Sequence, residues 1–474
     1  MPLVTSLVLA LVGSLAGCDD DQTTEMSELD QRVSERPDAE RLDDMGPESR
    51  DAGLDRAMTE VADMDPNPVT CESSRAPLIM IHGFLAAGDT WSRHAQRLIA
   101  TGSCPRLVRV YDWNTLDMMG DYTIGLELLV DELLEESGAS SVDLIGHSAG
   151  GGLAYQFLSD AERARKVGRY VHIGSFANEA PPSPEGGEVV PTLNLWSRGD
   201  LTVESADIPG ATNITLDEED HYAVATSLRS YHAISSFLYG DEALDEDPRP
   251  APQEGGVVSL SGRALTLGEN LPLGDLEVKI WSRDQSGARA EVAAEVVTDA
   301  QGVFSVSDLA AQVSYEFVPV LTAEGQPPVQ YFTPPLVRED PLVYLRTFPG
   351  PGTLASIIVN QLPQRDDQVS LVFFNAHRAF LAGSDSLTLD GQELLTPEVA
   401  SPENTTIALF VFDVNGDGEG GSASPLFDRF PFLAASDVPL RPEPQRFIEV
   451  DYNGLKMNIP ARSSAEGTMI IMFP

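Results

Sequence analysis

A chain of 474 residues is long enough for two or three domains. Its 74 acidic side chains against 30 basic ones give a formal net charge of −44 at pH 7. That balance repels nucleic acid and anionic surfaces and supports solubility; it excludes a nucleic-acid-binding role and leaves the fold open.

The first predicted element lies outside the folded part. Leu3 to Leu15 is an apolar run that ends in Leu15-Ala16-Gly17-Cys18 and meets acidic Asp19 and Asp20 at once. It is too short for a comfortable membrane span and suits the h-region of a signal peptide. Small residues ending in a cysteine resemble the bacterial lipobox, which makes Cys18 the lipid-modified first residue of an exported cell-envelope protein. Met1 to Ser6 carries no Lys or Arg, a departure from the usual n-region, and a plain cleaved signal is the alternative reading. Residues 1–18 are therefore read as a leader. Residues 19–70, rich in Asp, Glu, Ser, Arg and Pro with no sustained apolar face, are read as a solvated, disordered tether to the membrane.

Residues 71–245 read as an α/β unit. Leu78 to Ile81 is a continuous apolar strand bounded by Pro77 and by His82-Gly83-Phe84, suited to burial on both faces of a parallel sheet. Thr90 to Ala100 follows as a helix, Arg106 to Trp113 as a strand and Ile124 to Glu136 as an amphipathic helix. A strand over Val142 to Ile145 runs into Gly146-His147-Ser148-Ala149-Gly150, and a helix follows, running to about Val167. Tyr170 to Ile173, Thr192 to Trp196 and Asn213 to Leu216 are further strands, and Ser227 to Tyr239 is a closing helix. This alternation predicts a doubly wound, mainly parallel sheet with its ligand site beyond the carboxyl ends of the strands.

The charged, proline-bearing stretch Asp241 to Gly256 marks a boundary. Beyond it the period shortens to two, as in Leu276-Glu277-Val278-Lys279-Ile280, and turn signals recur at short intervals. The remainder is predicted to be all-β, as two sandwich-like units over 246–348 and 349–474. Cys71 and Cys104 each stand just before a predicted strand of the α/β unit. If those strands are parallel neighbours, the two thiols share a sheet edge and an exported protein can oxidise them; two free thiols are the alternative.

Gly-x-Ser-x-Gly between a strand and a helix is the context of a nucleophile elbow, with Ser148 raised on a strained turn. A serine nucleophile needs a base, a carboxylate to orient it, and donors for the oxyanion, and in this arrangement the acid and then the base follow the serine along the chain. Of the seven histidines, His221 alone follows the last strand in a loop, whereas His232 falls inside the closing helix, where a structural histidine is the ordinary expectation. Asp200, in the loop after the strand Thr192 to Trp196, is the candidate acid, with Glu204 and Glu179 in reserve; a plain turn aspartate is its alternative reading. The backbone N–H groups of Ala149 and Phe84 are the candidate oxyanion donors. Asp413, Asn415 and Asp417 with Gly418 resemble the opening of a calcium loop, but the twelfth position is Ser424 where a bidentate Glu is needed. Two readings stand there, a structural calcium or an acidic turn. No cofactor is expected for catalysis.

Leu78 to Phe84, Gly146 to Gly150 and His221 to Ser227 together resemble bacterial and archaeal lipases of the α/β-hydrolase superfamily. Tyr315 to Phe317, Pro335 to Asp340 and Pro431 to Asp437 are similar to members that carry a C-terminal lipid-binding β-domain. The resemblance implies ester hydrolysis by Ser148 and His221, with Phe84 and Ala149 at the oxyanion and small-molecule or lipid esters as substrates. Those members place the acid after the strand that follows the elbow helix. Here that place reads His172-Ile173-Gly174-Ser175, without a carboxylate, so the acid falls to Asp200. They also carry a long lid before the helix matching Ile124 to Glu136, where this chain has only Asn114 to Thr123. A non-catalytic lipid- or partner-binding lipoprotein, and the same triad acting on a thioester, polyester or phospholipid, are the competing functions.

Overall fold

The computed structural model describes residues 75–473 apart from 118, 185–186, 241–255, 322–326, 351–352, 354, 357–359, 361, 422–426 and 428–431. Cys18, the acidic tether, Cys71 and Ser424 therefore lie outside the described residues. Among the described residues no helix is long and apolar enough to cross a membrane.

Six strands make one sheet: β1 (Leu78–Ile81), β2 (Val108–Tyr111), β3 (Val142–His147), β4 (Val167–Ile173), β5 (Thr192–Ser197) and β6 (Thr212–Leu216). They lie in the order β2-β1-β3-β4-β5-β6, all parallel. Every residue of β1 and β3 is buried, the outcome expected of strands covered on both faces. On one face Leu78, Met80, Ile145, Val171 and Leu193 pack under α1 (Ser92–Ala100) and a helix over Leu228–Tyr239. On the other side α2 (Thr123–Ser137) and α3 (Ala149–Leu158) pack on each other and on β3.

Two element ends differ from the sequence reading. The elbow helix stops at Leu158 and does not reach Val167. Asp160 accepts hydrogen bonds from the N–H groups of Glu162 and Arg163 and so caps a separate short helix, α4 (Ala161–Ala164), after which Val167 already opens β4. The second strand starts at Val108 because Pro105 to Leu107 forms a 3-10 turn. The closing elements are α5 (Ala223–Thr226) and α6 (Leu228–Tyr239), and Ser227 caps α6 through its side chain.

Beyond the boundary the chain is β throughout. The first unit contributes β7 (Val257–Thr266), β8 (Glu277–Arg283), β9 (Arg289–Val297), β10 (Val303–Ala310), β11 (Ser314–Pro319), β12 (Val329–Thr333) and β13 (Asp340–Thr347). The second contributes β14 (Leu371–Phe374), β15 (Leu387–Leu389), β16 (Gln392–Glu393), β17 (Ala408–Phe412), β18 (Leu433–Asp437), β19 (Phe447–Tyr452), β20 (Leu455–Pro460) and β21 (Thr468–Met472). They form sheets ordered β10-β7-β13 and β16-β15-β19-β20, and an eight-stranded sheet ordered β18-β17-β14-β21-β12-β11-β8-β9.

The eight-stranded sheet crosses the 348/349 boundary through the parallel pairing of β12 with β21. Glu316 in β11, wholly buried, reinforces the junction: it accepts from Arg283 and Arg289 of the first unit and from Arg462 of the second, at 2.9, 2.7 and 2.5 Å. Desolvation alone would raise this carboxyl, but Arg289 and Arg462 hold it below its ordinary value.

Both β units also grip the α/β unit. From the first, Arg263 pairs with Asp112 at 2.7 Å, Tyr344 donates to the same carboxylate at 2.8 Å, and Arg346 pairs with Asp89 at 2.6 Å. From the second, the Ala379 N–H donates to Asp220 at 3.2 Å, the Thr405 and Thr202 hydroxyls meet at 2.8 Å, and Thr226 donates to the His377 carbonyl.

Candidate active site

β3 delivers the chain to Ser148, whose φ of 52° and ψ of −121° place it in a left-handed conformation that side chains other than glycine's rarely adopt. Gly150 makes this turn sterically feasible. A Cβ there would lie 2.6 Å from the carbonyl oxygens of both Ile81 and His82, so α3 reaches β1 only because the side chain is missing. Ser148 is nearly buried, 8% exposed, at the carboxyl end of the sheet.

The candidate base lies in the loop after β6 and the candidate acid in the loop after β5. The Ser148 hydroxyl donates to His221 Nε2 at 3.0 Å, and His221 Nδ1–H donates to Asp200 Oδ2 at 2.8 Å. The other Asp200 oxygen accepts the N–H groups of Thr202 and Val203 at 2.9 and 3.2 Å. Burial would raise the Asp200 carboxyl, but the His221 ring and these amides hold it below its ordinary value. It is thus an anion fixed on both oxygens, suited to set the His221 tautomer and to stabilise an imidazolium.

Asp200 also occupies the room at the alternative acid position. A Cβ on Gly174 would lie 3.5 Å from Asp200 Oδ2, so the carboxylate from β5 reaches the space beside the end of β4. The residues standing there instead serve the elbow: Ser175 donates to the Ser148 carbonyl at 2.8 Å, and His172 donates to the Phe176 carbonyl at 3.0 Å. Glu179 and Glu204, the reserve candidates, are exposed. His232 lies in α6 with its ring beside Tyr231.

The oxyanion segment follows β1. Gly83 abuts the nucleophile, since a Cβ there would lie 3.0 Å from Ser148 Cβ. The next N–H, that of Phe84, and the N–H of Ala149 belong to the two segments that meet at Ser148, and among the described residues neither meets a protein acceptor. His82 shapes this segment. Its Nδ1–H donates to the Gly83 carbonyl at 2.9 Å, while Nε2 accepts from the Trp113 N–H at 3.2 Å. Burial lowers the His82 pKa and keeps the ring neutral, as an accepting Nε2 requires. Asn270, in the loop after β7, donates to the carbonyls of Ala86 and Trp113 at 2.8 and 3.1 Å. Leu85, Leu116 and Ala355 converge on Gly268 of the same loop and form an apolar wall beside the oxyanion segment.

Sequence reasoning missed several supports of His221. His147 Nε2–H donates to the His221 carbonyl at 2.8 Å, its ring lies 4.7 Å from the His221 ring, and burial pushes its pKa down to about 3. Asp220 holds the base loop by accepting from the N–H groups of Tyr222 and Ala223 at 2.8 and 3.0 Å. Phe432, from the turn before β18, stacks on the His221 ring at 5.8 Å with 8° between planes. Only Asp220 carried a local signal, as an acidic residue beside a candidate base.

The remaining candidates lie elsewhere. Cys104 is disulfide-bonded, while Cys71, its predicted partner, lies outside the described residues. At Asp413 the carboxylate accepts the N–H groups of Gly416 and Gly418 at 2.7 and 2.9 Å. Asn415 and Asp417 each accept the N–H two residues on, at 2.9 and 2.7 Å. These hydrogen bonds are internal to the segment, and Arg365 and Arg441 line a pocket with Asp413 and Asp417. Among the described residues no group of three His, Cys, Asp or Glu side chains is placed to hold a metal.

Comparison with known proteins adds the following. The Lipase C-terminal domain model matches residues 256–348, and a second model, described as a C-terminal domain, matches residues 352–474. Among solved structures, similarity is found to the Bacillus licheniformis lipase BlEst2 in its propeptide form, at 12% identity and a TM-score of 0.27, over 54% of this chain and 73% of that one. A bromoperoxidase from Bacillus anthracis is similar at 15% identity and a TM-score of 0.27, over 36% and 93%. Aspergillus fumigatus lipase B is similar at 12% identity and a TM-score of 0.26, over 37% and 55%. The chain thus has a parallel α/β sheet with Ser148 on a strained strand-to-helix turn, followed by β sheets whose first unit matches the Lipase C-terminal domain model.

Proposed function

We propose that this protein hydrolyses carboxylic esters of apolar acyl groups, as a lipase or esterase, through an acyl-enzyme on Ser148. The observation that carries this reading is the chain of hydrogen bonds joining Ser148, His221 and Asp200 at 3.0 and 2.8 Å. Ser148 Oγ attacks the ester carbonyl carbon while its proton passes to His221 Nε2, and the carbonyl oxygen takes the negative charge between the Phe84 and Ala149 N–H groups. The bond to the alcohol then breaks, and the departing alkoxide takes the proton from His221. Water repeats the sequence on the acyl-enzyme: its proton goes to His221 and its oxygen to the acyl carbon, the bond from that carbon to Ser148 Oγ breaks, and Oγ takes the proton back from His221 as the acid leaves.

The match of residues 256–348 to a lipase C-terminal domain supports a lipid-like ester, as does the apolar wall of Leu85, Leu116 and Ala355. Lipidation at Cys18 would hold the enzyme on the exported side of a bacterial membrane, with the acidic tether between anchor and site.

The test is a p-nitrophenyl ester series of increasing chain length on wild type and Ser148→Ala. Hydrolysis by wild type and its loss in Ser148→Ala are expected; wild type inactive at every chain length, or activity surviving in Ser148→Ala, removes the assignment. Cys18→Ser is expected to release the protein from membranes, and retention there counts against the anchor.

A further inference from the structure

Phe432 stands far from the triad in sequence, in the second β unit, yet its ring lies nearly parallel to that of His221, at 5.8 Å between centroids and 8° between planes. That is an offset-stacked pair within the range in which aromatic rings attract. The same ring meets Tyr222, the residue after the base, edge-on at 5.4 Å. Phe432 is 3% exposed and so seals one side of the imidazole from water.

Its backbone conformation is unusual. The φ of Phe432 is 72°, a left-handed value that is costly for a residue with a bulky side chain. Three backbone hydrogen bonds impose it. The Phe432 carbonyl accepts from the N–H groups of Ile407 and Ala408 at 2.9 and 3.1 Å, and its own N–H donates to the Asn404 carbonyl at 3.3 Å. The turn ahead of β18 is thus held in a strained form, and in that form the ring rests on the base. The neighbouring segment fixes the acid as well: the Thr405 hydroxyl meets that of Thr202, whose N–H donates to Asp200. His147 and Phe432 together confine the His221 ring, and Asp200 fixes its rotation.

We infer that Phe432 is a positioning residue for the general base, so that the second β unit completes the active site of the α/β unit through one aromatic ring. The inference rests on His221 acting as the base in ester hydrolysis. A ring confined in this way keeps Nε2 in line with the serine hydroxyl through both proton transfers, and without Phe432 the imidazole gains room to swing. The effect belongs to kcat, because the ring acts on the base and not on bound substrate.

The experiment uses the purified full chain with p-nitrophenyl butyrate, measuring kcat, KM and thermal midpoint for Phe432→Ala, Phe432→Gly and Phe432→Tyr. Phe432→Ala is expected to lower kcat about 10²-fold with KM little changed, the scale of a small misplacement of a catalytic group. Phe432→Tyr keeps the ring and should retain most of the wild-type rate. Phe432→Gly relieves the left-handed strain, so it should melt at or above Phe432→Ala yet be as slow. Wild-type kcat in a folded Phe432→Ala or Phe432→Gly overturns the inference, as does a Phe432→Tyr as slow as Phe432→Ala. Loss of rate in step with loss of melting temperature, or failure of all three to fold, makes the ring merely structural and overturns it too. An inactive wild type instead removes the ester-hydrolase reading, and this inference with it; an active wild type with an indifferent Phe432 leaves that reading standing.

Discussion

Two nitrogens of one imidazole divide the work at the candidate site, and each partner has its own support. Asp200 holds Nδ1–H from a carboxylate fixed on both oxygens. Asp200→Asn should therefore lower kcat by about 10⁴-fold, because the amide favours the wrong tautomer, while Glu179→Gln and Glu204→Gln should leave it unchanged. Steady-state rates on one short-chain ester check all three, and a comparable loss in Glu179→Gln would move the acid elsewhere. Burial lowers the pKa of His82, His94, His147 and His172, and of these His147 is the one packed against the candidate base. Burial holds the folded pKa of His147 at about 3 against 6.5 for a free histidine, so its contribution to stability is fully present above pH 6.5 and is lost as pH falls towards 3. Urea unfolding at pH 7 and pH 5 should show wild type losing stability on acidification, by up to about 1.4 kcal/mol per pH unit from this group. His147→Gln can keep an N–H towards the His221 carbonyl without titrating and should reduce that slope by its share, leaving the part due to His82, His94 and His172; an unchanged slope would mean that His147 is not held neutral. That Ser148, Asp200 and His221 come together was legible in the sequence, because so few histidines and the expected order of serine, acid and base leave little choice. The clamps on these residues were not. His147 points at a backbone carbonyl and Phe432 arrives from another unit, and neither relation leaves a local pattern.

At the scale of elements, the join between β3 and α3 leaves no room for a side chain at Gly150. Gly150→Ala would drive a methyl group into the carbonyl oxygens of Ile81 and His82, which belong to the backbone and cannot rotate away. It should cost about 1–3 kcal/mol or more by overpacking and should pull the oxyanion segment off Ser148, so activity should fall further than the thermal midpoint suggests. Melting curves and kcat on the same preparation check it, and a fully active, equally stable variant would mean that α3 can back away from β1. Strands β1 and β3 were readable because burial on both faces demands an unbroken apolar run. The end of the elbow helix was less so. The residues from Ala161 to Lys166 have good helical composition, which masks the cap at Asp160, although an aspartate ahead of such a run is itself a start signal. The sharing of one sheet by both β units could not be read at all, since the pairing of β12 with β21 is set by packing between distant segments.

The whole molecule is held by charges buried between its parts. Asp89 in the α/β unit and Arg346 in the first β unit pair at 2.6 Å with little access to water, and Asp112 is shared by Arg263 and Tyr344. Arg346→Met would leave Asp89 buried without its cation and should cost about 3–5 kcal/mol, whereas adding Asp89→Asn should recover a good part of that loss. Urea midpoints of the two variants check this, and a single mutant as stable as wild type would show that water reaches Asp89. The gross plan, a parallel α/β unit followed by β sheets, followed from alternation and turn spacing alone. Why the site needs the β units did not, because their hold on the oxyanion segment through Asn270 and on the base loop through Ala379 joins residues remote in sequence. One property of the eight-stranded sheet reaches beyond the finished molecule. Among the described residues β21 follows every other strand in sequence, yet it lies between β12 and β14 in the interior of that sheet. The two halves of the sheet therefore cannot meet until β21 has been synthesised. Until β21 arrives, β12 and β14 each keep an unpaired edge that another strand could occupy.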